Sequence, residues 1–195
     1  MPIRPRPRKR DAAATRAAIL NSARKVFALS GYDGAGVREI AAGAGVTAML
    51  VNRYFGSKEE LFREAIAAAN ATPTIATDAV LKSEHPGKAI ARALVEITRA
   101  GDTPLEGFLM LLNSASSPRA AEIGRAVIEV GHQATVAGAL HGRHVEQRAA
   151  LILSLVAGFQ MMRQSIGLGA LAEAEPEVLA TLLAPLFERL VKGDG

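Results

Sequence analysis

Apolar residues in the first seventy positions recur at intervals of three and four, the spacing of one face of an α-helix, and glycines separate the resulting stripes. The sequence therefore predicts four short helices in this part of the chain. Gly31, Gly45 and Gly56 are suitable ends for the first three. The four inner faces are Ile19, Ala23, Val26 and Phe27; Val37, Ile40, Ala41 and Ala44; Leu50, Val51, Tyr54 and Phe55; and Leu61, Phe62, Ala65, Ile66 and Ala69.

Two hydroxyl residues stand where helix N-caps are expected. Thr47 can cap the third helix, and Ser57 with Glu60 matches the S-x-x-E capping box of the fourth. Only Gly45 and Val46 separate the second helix from the Thr47 cap, which predicts the short turn of a helix-turn-helix motif. In that motif the second helix enters the major groove of duplex DNA.

The third helix presents a mainly polar face once its inner stripe is removed. Asn52 can pair with an adenine edge, Arg53 can bind guanine or a phosphate, and Ala48 or Met49 can contact a thymine methyl group. The plain alternative is that Asn52 and Arg53 only solvate an outer helix face. The exposed set predicted to contact DNA is Thr47, Ala48, Met49, Asn52 and Arg53.

Two further residues are candidates for phosphate contacts. Lys58 lies in the first turn of the fourth helix, where a cation opposes the helix dipole unless an anion lies nearby. A DNA phosphate would remove that conflict, and Tyr54 can donate its hydroxyl to another phosphate. Lys58 could instead be a solvent-exposed lysine with no such role.

The rest of the chain predicts more helices, over residues 75–83, 87–100, 104–114, 118–140, 144–167 and 175–192. Pro86, Pro104, Pro118 and Pro176 lie near predicted helix starts, where proline is tolerated, whereas Pro185 would kink the last helix. The last two helices are the most apolar. They can form an intramolecular core, or they can pack on a second copy as a two-fold four-helix interface.

A small-molecule pocket between the remaining helices is a weaker prediction, and core packing is the simpler interpretation of each candidate residue. His141 and His144 have metal-compatible spacing, but Gly142 weakens the helix and no third ligand matches them. We therefore predict no metal site and no cofactor. The candidate pocket residues are Phe108, Met110, His132, Phe159 and Met162.

Charge is unevenly distributed. Residues 1–64 contain 12 Lys and Arg against 6 Asp and Glu, whereas residues 65–195 contain 11 against 13, so the first part is suited to a polyanion. The basic residues that alternate with prolines predict an extended, disordered arm over residues 1–10, which either contacts DNA or keeps the chain soluble. These residues are Arg4, Arg6, Arg8, Lys9 and Arg10.

Composition excludes several classes of protein. With no cysteine there is no disulfide framework or thiol nucleophile, which suits a reducing cytoplasm. The basic start lacks the apolar segment of a secretory signal, and the longest nearly apolar run, residues 149–162, is too short to span a membrane. No catalytic constellation is evident, so we predict a cytoplasmic protein that is not an enzyme.

The segment from Thr15 to Ile66 resembles the tetracycline-repressor (TetR) family of bacterial regulators. The most specific part joins the end of the recognition helix, the turn and the capping box in a fixed register. The matching blocks are Ile19-Leu20, Val26-Phe27, Gly31-Tyr32-Asp33, Val37-Arg38-Glu39-Ile40-Ala41, Ala44-Gly45-Val46-Thr47 and Arg53-Tyr54-Phe55-Gly56-Ser57-Lys58-Glu59-Glu60-Leu61-Phe62.

The resemblance implies an all-α, homodimeric transcription factor. A three-helix helix-turn-helix domain over residues 11–68 would follow the arm, and residues 69–195 would form a helical ligand-binding and dimerisation domain. Such a protein would repress genes from a palindromic operator and leave it when a small-molecule effector binds. By the same analogy Thr47, Tyr54 and Lys58 contact phosphates, Arg38 contacts DNA, and Ala48, Met49, Asn52 and Arg53 face bases.

The chain departs from the family pattern at two places. Ala35 and Gly36 replace the usual Thr or Ser, so the second helix lacks a hydroxyl cap and one phosphate contact. We expect the basic arm over residues 1–10 to offset the missing phosphate contact. Gly43 lies inside that helix and costs about 0.8 to 1.0 kcal/mol relative to Ala, which predicts a softer domain. Two alternatives stay open: a non-specific nucleoid-associated protein, and a helical small-molecule-binding protein with a vestigial DNA-binding domain.

Overall fold

The computed structural model of the protein describes residues 9–71, 75–99, 101–102 and 104–193, so the predicted DNA contacts Arg4, Arg6 and Arg8 lie outside the described residues. Every regular element in the described part is helical, which confirms the all-α prediction. In chain order the helices are α1 (Lys9–Gly34), α2 (Val37–Gly43), α3 (Ala48–Phe55), α4 (Lys58–Ala69), α5 (Asp78–Leu81), α6 (Pro86–Ile97), α7 (Glu106–Ser114), α8 (Pro118–Ile128), α9 (Ala134–Ala139), α10 (Val145–Gln160), α11 (Gly169–Ala172) and α12 (Pro176–Lys192).

The chain forms two compact units. The first unit contains the residues up to Ala69 together with Glu106–Val127, and the second contains Asn70–Leu105 and the residues from Ile128 onward. The helix-turn-helix elements α1 to α4 therefore share a unit with α7 and with α8 up to Val127. The sequence-based division placed all residues after 68 in one C-terminal domain.

Most predicted helices are present, and the main differences are in where they begin and whether they are continuous. Helix α1 begins at Lys9, so Lys9 and Arg10 belong to its first turn and not to an extended arm. The physical reason is that the last proline of the arm is Pro7, and a helix can start soon after a proline. The long helices predicted over 118–140 and 144–167 are each interrupted by a π-helical turn, Glu129–Gln133 and Met161–Ser165.

The core of the first unit is built around three aromatic rings. Phe27 meets Phe62 edge to face at 4.9 Å between ring centroids, and Tyr32 lies 5.0 Å from Phe62. Helices α7 and α8 add Met110 and Ile123 to the same core. Residues from the second half of the chain thus complete the core beneath the helix-turn-helix.

Polar contacts fix α7 against the end of α1. The Asn113 amide donates to the Ala28 carbonyl at 2.6 Å, and the Tyr32 amide donates to the Ser114 hydroxyl at 2.9 Å. Gly31 has a positive φ of 65°, and a Cβ there would lie 2.1 Å from the Asn113 carbonyl oxygen. Glycine at this position therefore serves both the bend in α1 and the close approach of α7.

In the second unit α6 packs closely on α12. A Cβ on Gly87 would lie 2.3 Å from the Glu188 amide nitrogen, and the Gly87 amide donates to the Glu188 carboxylate at 2.7 Å. The carboxylate is held ionised, since the salt bridge to Lys192 and the Gly87 amide together lower the pKa of Glu188. The two helices approach this closely because position 87 carries no side chain.

Gly43 makes the contact between α1 and α2 possible. Ser22 of α1 is buried and donates its hydroxyl to the Ile40 carbonyl at 2.8 Å. A Cβ on Gly43 would lie 2.4 Å from the Ser22 hydroxyl oxygen. The low helix propensity of Gly43 therefore accompanies a packing role that the sequence pattern did not indicate.

This packing predicts that Gly43→Ala lowers the free energy of unfolding by about 1 to 2 kcal/mol, because the added methyl displaces the Ser22 hydroxyl. Urea unfolding of the variant measures the loss. In a Ser22→Ala background the same substitution should cost much less, since the clashing oxygen is gone. Gly138→Ala, in α9, where no atom lies within 4 Å of an added Cβ, is the matched control and should not destabilise. An equal loss in both backgrounds would contradict the assignment.

Candidate nucleic-acid interface

The recognition helix α3 is fixed at both ends and along its inner face. The Thr47 hydroxyl accepts a hydrogen bond from the Leu50 amide at 3.3 Å, which confirms the predicted N-cap. Val51 and Phe55 are 2% and 4% exposed in the core of the first unit. Gly56 ends the helix with a φ of 75°.

Arg16 of α1 holds the end of α3 in place. Its guanidinium lies 4.6 Å from the centre of the Phe55 ring and forms an ion pair with Glu64 of α4. One side chain therefore connects α1, α3 and α4. Sequence reasoning missed Arg16, because Glu64 is 48 residues away and nothing local connects the two.

The outer face of α3 is open. Thr47, Met49, Asn52 and Arg53 are exposed, with 79% of Met49 accessible, and Ala48 is half-buried. Arg38 of α2 is exposed as well. Within the described part of the chain, the side chains of Arg38, Asn52 and Arg53 have no hydrogen-bond or ion-pair partner, so these groups are available to DNA. Their contacts with DNA remain predictions.

Lys58 has intramolecular partners that the sequence did not reveal. Its ammonium group donates to the Asp33 carbonyl at 3.4 Å and lies 4.8 Å from the centre of the Tyr32 ring. These contacts ease the conflict between Lys58 and the α4 dipole without a phosphate. Tyr54 is half-buried against the core, and its phosphate contact, like that of Lys58, stays a prediction.

Helix α4 has only half of the predicted capping box. The Glu60 amide donates to the Ser57 hydroxyl at 3.1 Å, as expected. The Glu60 carboxylate, however, pairs with Arg63, and the Ser57 amide donates to the Phe55 carbonyl at 2.9 Å. At the start of α2, Gly36 makes no side-chain cap, in agreement with the loss of the hydroxyl there.

The five candidate pocket residues are divided between the two units. Met110 is fully buried in the core of the first unit and Phe108 is half-buried on the same helix, whereas His132, Phe159 and Met162 lie in the second unit. A cleft of about 390 Å³ in the second unit lies between α6 and α12 and includes none of the five. It is lined by Arg92, Ala93, Val95, Glu96, Pro176, Glu177 and Ala180.

His132 is the most distinctive of these candidates. It lies in the π-helical turn after α8, and its Nε2 atom is 3.2 Å from the side-chain oxygen of Asn70. Burial lowers the pKa of His132 below the ordinary histidine value. The group is therefore neutral at physiological pH and resists protonation.

The described residues show neither a metal-binding cluster nor a membrane-spanning helix. His141 and His144 are exposed, and no three His, Asp or Glu side chains of the described part gather as they would around a metal ion. Among the same residues, no helix combines the length and apolar character needed to cross a membrane.

Family models match both parts of the chain. One described as bacterial regulatory proteins of the tetR family matches residues 19–65, and one described as a tetracyclin repressor-like C-terminal domain matches residues 84–191. The chain belongs to the TetR family. It is therefore a TetR-family transcriptional regulator, with an N-terminal DNA-binding helix-turn-helix and a helical C-terminal domain. TetR-family regulators are generally non-enzymatic DNA-binding proteins.

Solved structures share the fold over nearly the whole chain. A TetR-family regulator from Streptomyces coelicolor A3 is 25% identical, with 97% of this chain and 99% of that chain covered at a TM-score of 0.59. A transcriptional regulator from Rhodococcus sp. Rha1 is 24% identical, with 90% and 95% covered at a TM-score of 0.57. The multidrug binding protein EbrR, complexed with imidazole, is 20% identical, with 92% and 96% covered at a TM-score of 0.64. No curated protein sequence matches significantly.

The lowered pKa of His132 predicts a pH dependence of stability. As pH falls through the ordinary histidine range, the unfolded chain takes up a proton before folded His132 does, so the free energy of unfolding decreases. The decrease stops once pH is below the lowered pKa. Urea unfolding between pH 8 and pH 5 measures it, and His132→Gln should flatten the profile. His144→Gln, at an exposed position, is the control, and an equal flattening there would contradict the assignment.

Proposed function

We propose that this TetR-family regulator is a homodimeric cytoplasmic repressor that binds an inverted-repeat operator and leaves it when a small molecule binds the second unit. The observation that carries the DNA-binding half of this proposal is the geometry of α3. Its inner face is buried, its N-terminus is capped, and Met49, Asn52 and Arg53 are left open to solvent. A fixed helix with an unoccupied polar face is suited to the major groove.

The outer face has the chemistry needed to distinguish base pairs. Asn52 can pair with adenine through two hydrogen bonds and Arg53 with guanine, each such pair being worth about 1 to 3 kcal/mol of discrimination. Met49, 79% exposed, is suited to a thymine methyl group. Arg38, Thr47, Tyr54 and Lys58 would contact phosphates and set the orientation of the helix on the duplex.

An exposed apolar surface on the second unit supports the dimer. Val178, Leu182 and Leu186 of α12 are 53%, 65% and 50% exposed, and their spacing of four places them along one face of the helix. Leu151 of α10 is also half exposed. Packing of α10 and α12 on a second copy would bury this surface with two-fold symmetry. The same symmetry would present two α3 helices to an operator with matching half-sites.

Release by an effector rests on family membership and on two features of the second unit. These are the cleft between α6 and α12 and the half-buried His132. The multidrug binding protein EbrR has a similar fold. To shift occupancy of the DNA-competent state from 99:1 to 1:99, an effector needs about 5.5 kcal/mol of differential affinity.

The proposal predicts that the preferred duplex is bound at least about a thousandfold more tightly than random duplex at physiological salt. Substituting both Asn52 and Arg53 by Ala should bring this ratio toward one, because the base contacts are lost while phosphate contacts persist. Fluorescence anisotropy with random competitor DNA measures the ratio. Arg99→Ala, which removes an exposed arginine from the second unit, is the control. A wild-type ratio near one would favour a nucleoid-associated protein instead.

The dimer predicts a second outcome. Leu182→Glu places a charge in the proposed interface and should convert the dimer to a monomer in analytical ultracentrifugation. Affinity for the inverted repeat should fall strongly, while affinity for an isolated half-site should change little. Thr181→Glu, at an exposed neighbouring position, is the control and should leave the dimer intact if the interface is formed by the helix face that contains Leu182. A Leu182→Glu variant that stays dimeric would contradict the proposed interface.

A further inference from the structure

An arginine from the second half of the chain reaches the start of α4. The guanidinium of Arg119, in the first turn of α8, lies 2.7 Å from a carboxylate oxygen of Glu59 and 2.6 Å from one of Glu122. Glu59 follows Lys58 directly in the first turn of α4. The pair therefore lies beside a predicted phosphate contact, although Arg119 is 60 residues away in sequence.

The start of α8 is held in this place by other contacts of the first unit. The Ser117 hydroxyl, two residues before Arg119, donates to the Asp33 carboxylate at 3.2 Å. The main-chain carbonyl of the same Asp33 accepts the hydrogen bond from Lys58. Arg119, Glu59 and Lys58 thus belong to one connected cluster on the first unit.

The pair contributes little to folding, because both side chains are largely exposed. Arg119 and Glu59 retain 48% and 41% of their side-chain accessibility, and exposed ion pairs typically contribute at most about 1 kcal/mol. The hydrogen bond from Arg119 lowers the pKa of Glu59, so the carboxylate is ionised. The importance of the pair therefore lies in the local electrostatic field and not in stability.

An ionised carboxylate at this place would repel a DNA phosphate approaching Lys58. We propose that Arg119 is a positioning residue for DNA binding, which neutralises Glu59 and so protects the phosphate contact at the start of α4. This inference rests on the proposed function, because it requires that Lys58 approaches DNA. It assigns to α8, outside the helix-turn-helix, an influence on operator affinity that acts through Glu59.

The test is equilibrium binding of the full chain to a fluorescently labelled duplex at several salt concentrations. Arg119→Ala should weaken binding about two- to fivefold at low salt, and the effect should shrink as salt screens the exposed charge. Glu59→Gln should shift affinity in the opposite direction, because it removes the repelling carboxylate. The double variant should return close to wild type.

A purely structural ion pair predicts a different pattern. Loss of either partner would then weaken binding in the same direction, together with a lower melting temperature. Glu122→Gln is the matched control, since it breaks the other contact of Arg119 and leaves the Glu59 pair intact; it should change affinity less than Glu59→Gln. Arg99→Ala removes the same charge from the second unit and should have little effect.

The outcomes separate this inference from the proposed function. If the unmodified protein binds duplex but Arg119→Ala and Glu59→Gln shift affinity in the same direction, or neither shifts it, the inference is overturned alone. If the unmodified protein binds no duplex, the proposed function is overturned and the inference with it. Opposite shifts with recovery in the double variant support both.

Discussion

The recognition helix α3 forms only because one of its faces is buried in the core of the first unit. A helix of eight residues is too short to be stable by itself in water, so it exists only because Val51 and Phe55 are packed in the core of the first unit. Arg16 reinforces that packing from α1 by stacking on Phe55 and pairing with Glu64. Because Val51 and Phe55 face inward, the outer face with Met49, Asn52 and Arg53 remains open to solvent and available to DNA.

Two arginines, Arg148 and Arg163, are buried in the second unit, whereas a purely apolar helix bundle would contain no buried charge. Arg148 donates to the Leu190 and Val191 carbonyls in the last turn of α12, and Arg163 donates to the Val95 carbonyl near the end of α6 at 2.7 Å. Both cations therefore meet the negative end of a helix dipole, which offsets the cost of their burial. These contacts connect α10 and the turn after it to the two helices that pack most closely.

Local signals were enough to predict the helix-turn-helix, whereas contacts between distant residues were not. The Gly56 helix end, the Thr47 cap and the apolar stripes are short-range features, and the structure confirms them. Gly31, predicted as the end of the first helix, is instead a kink within α1, which continues to Gly34. The Gly43 contact with Ser22, the Lys58 hydrogen bond to Asp33 and the placement of α7 and α8 in the first unit depend on tertiary packing, which periodicity does not report. The π-helical turns within the two longest predicted helices were missed for the same reason, because apolar spacing continues through them.

We propose that α3 reads the sequence of duplex DNA from a two-fold symmetric protein. Selection of bound fragments from a random duplex library, with the full chain and no added small molecule, tests this most directly. We expect enrichment of an inverted repeat whose half-sites are separated by one helical turn, about 34 to 36 Å, or a multiple of it. Recovery of fragments with no shared motif, or of none above background, would contradict it.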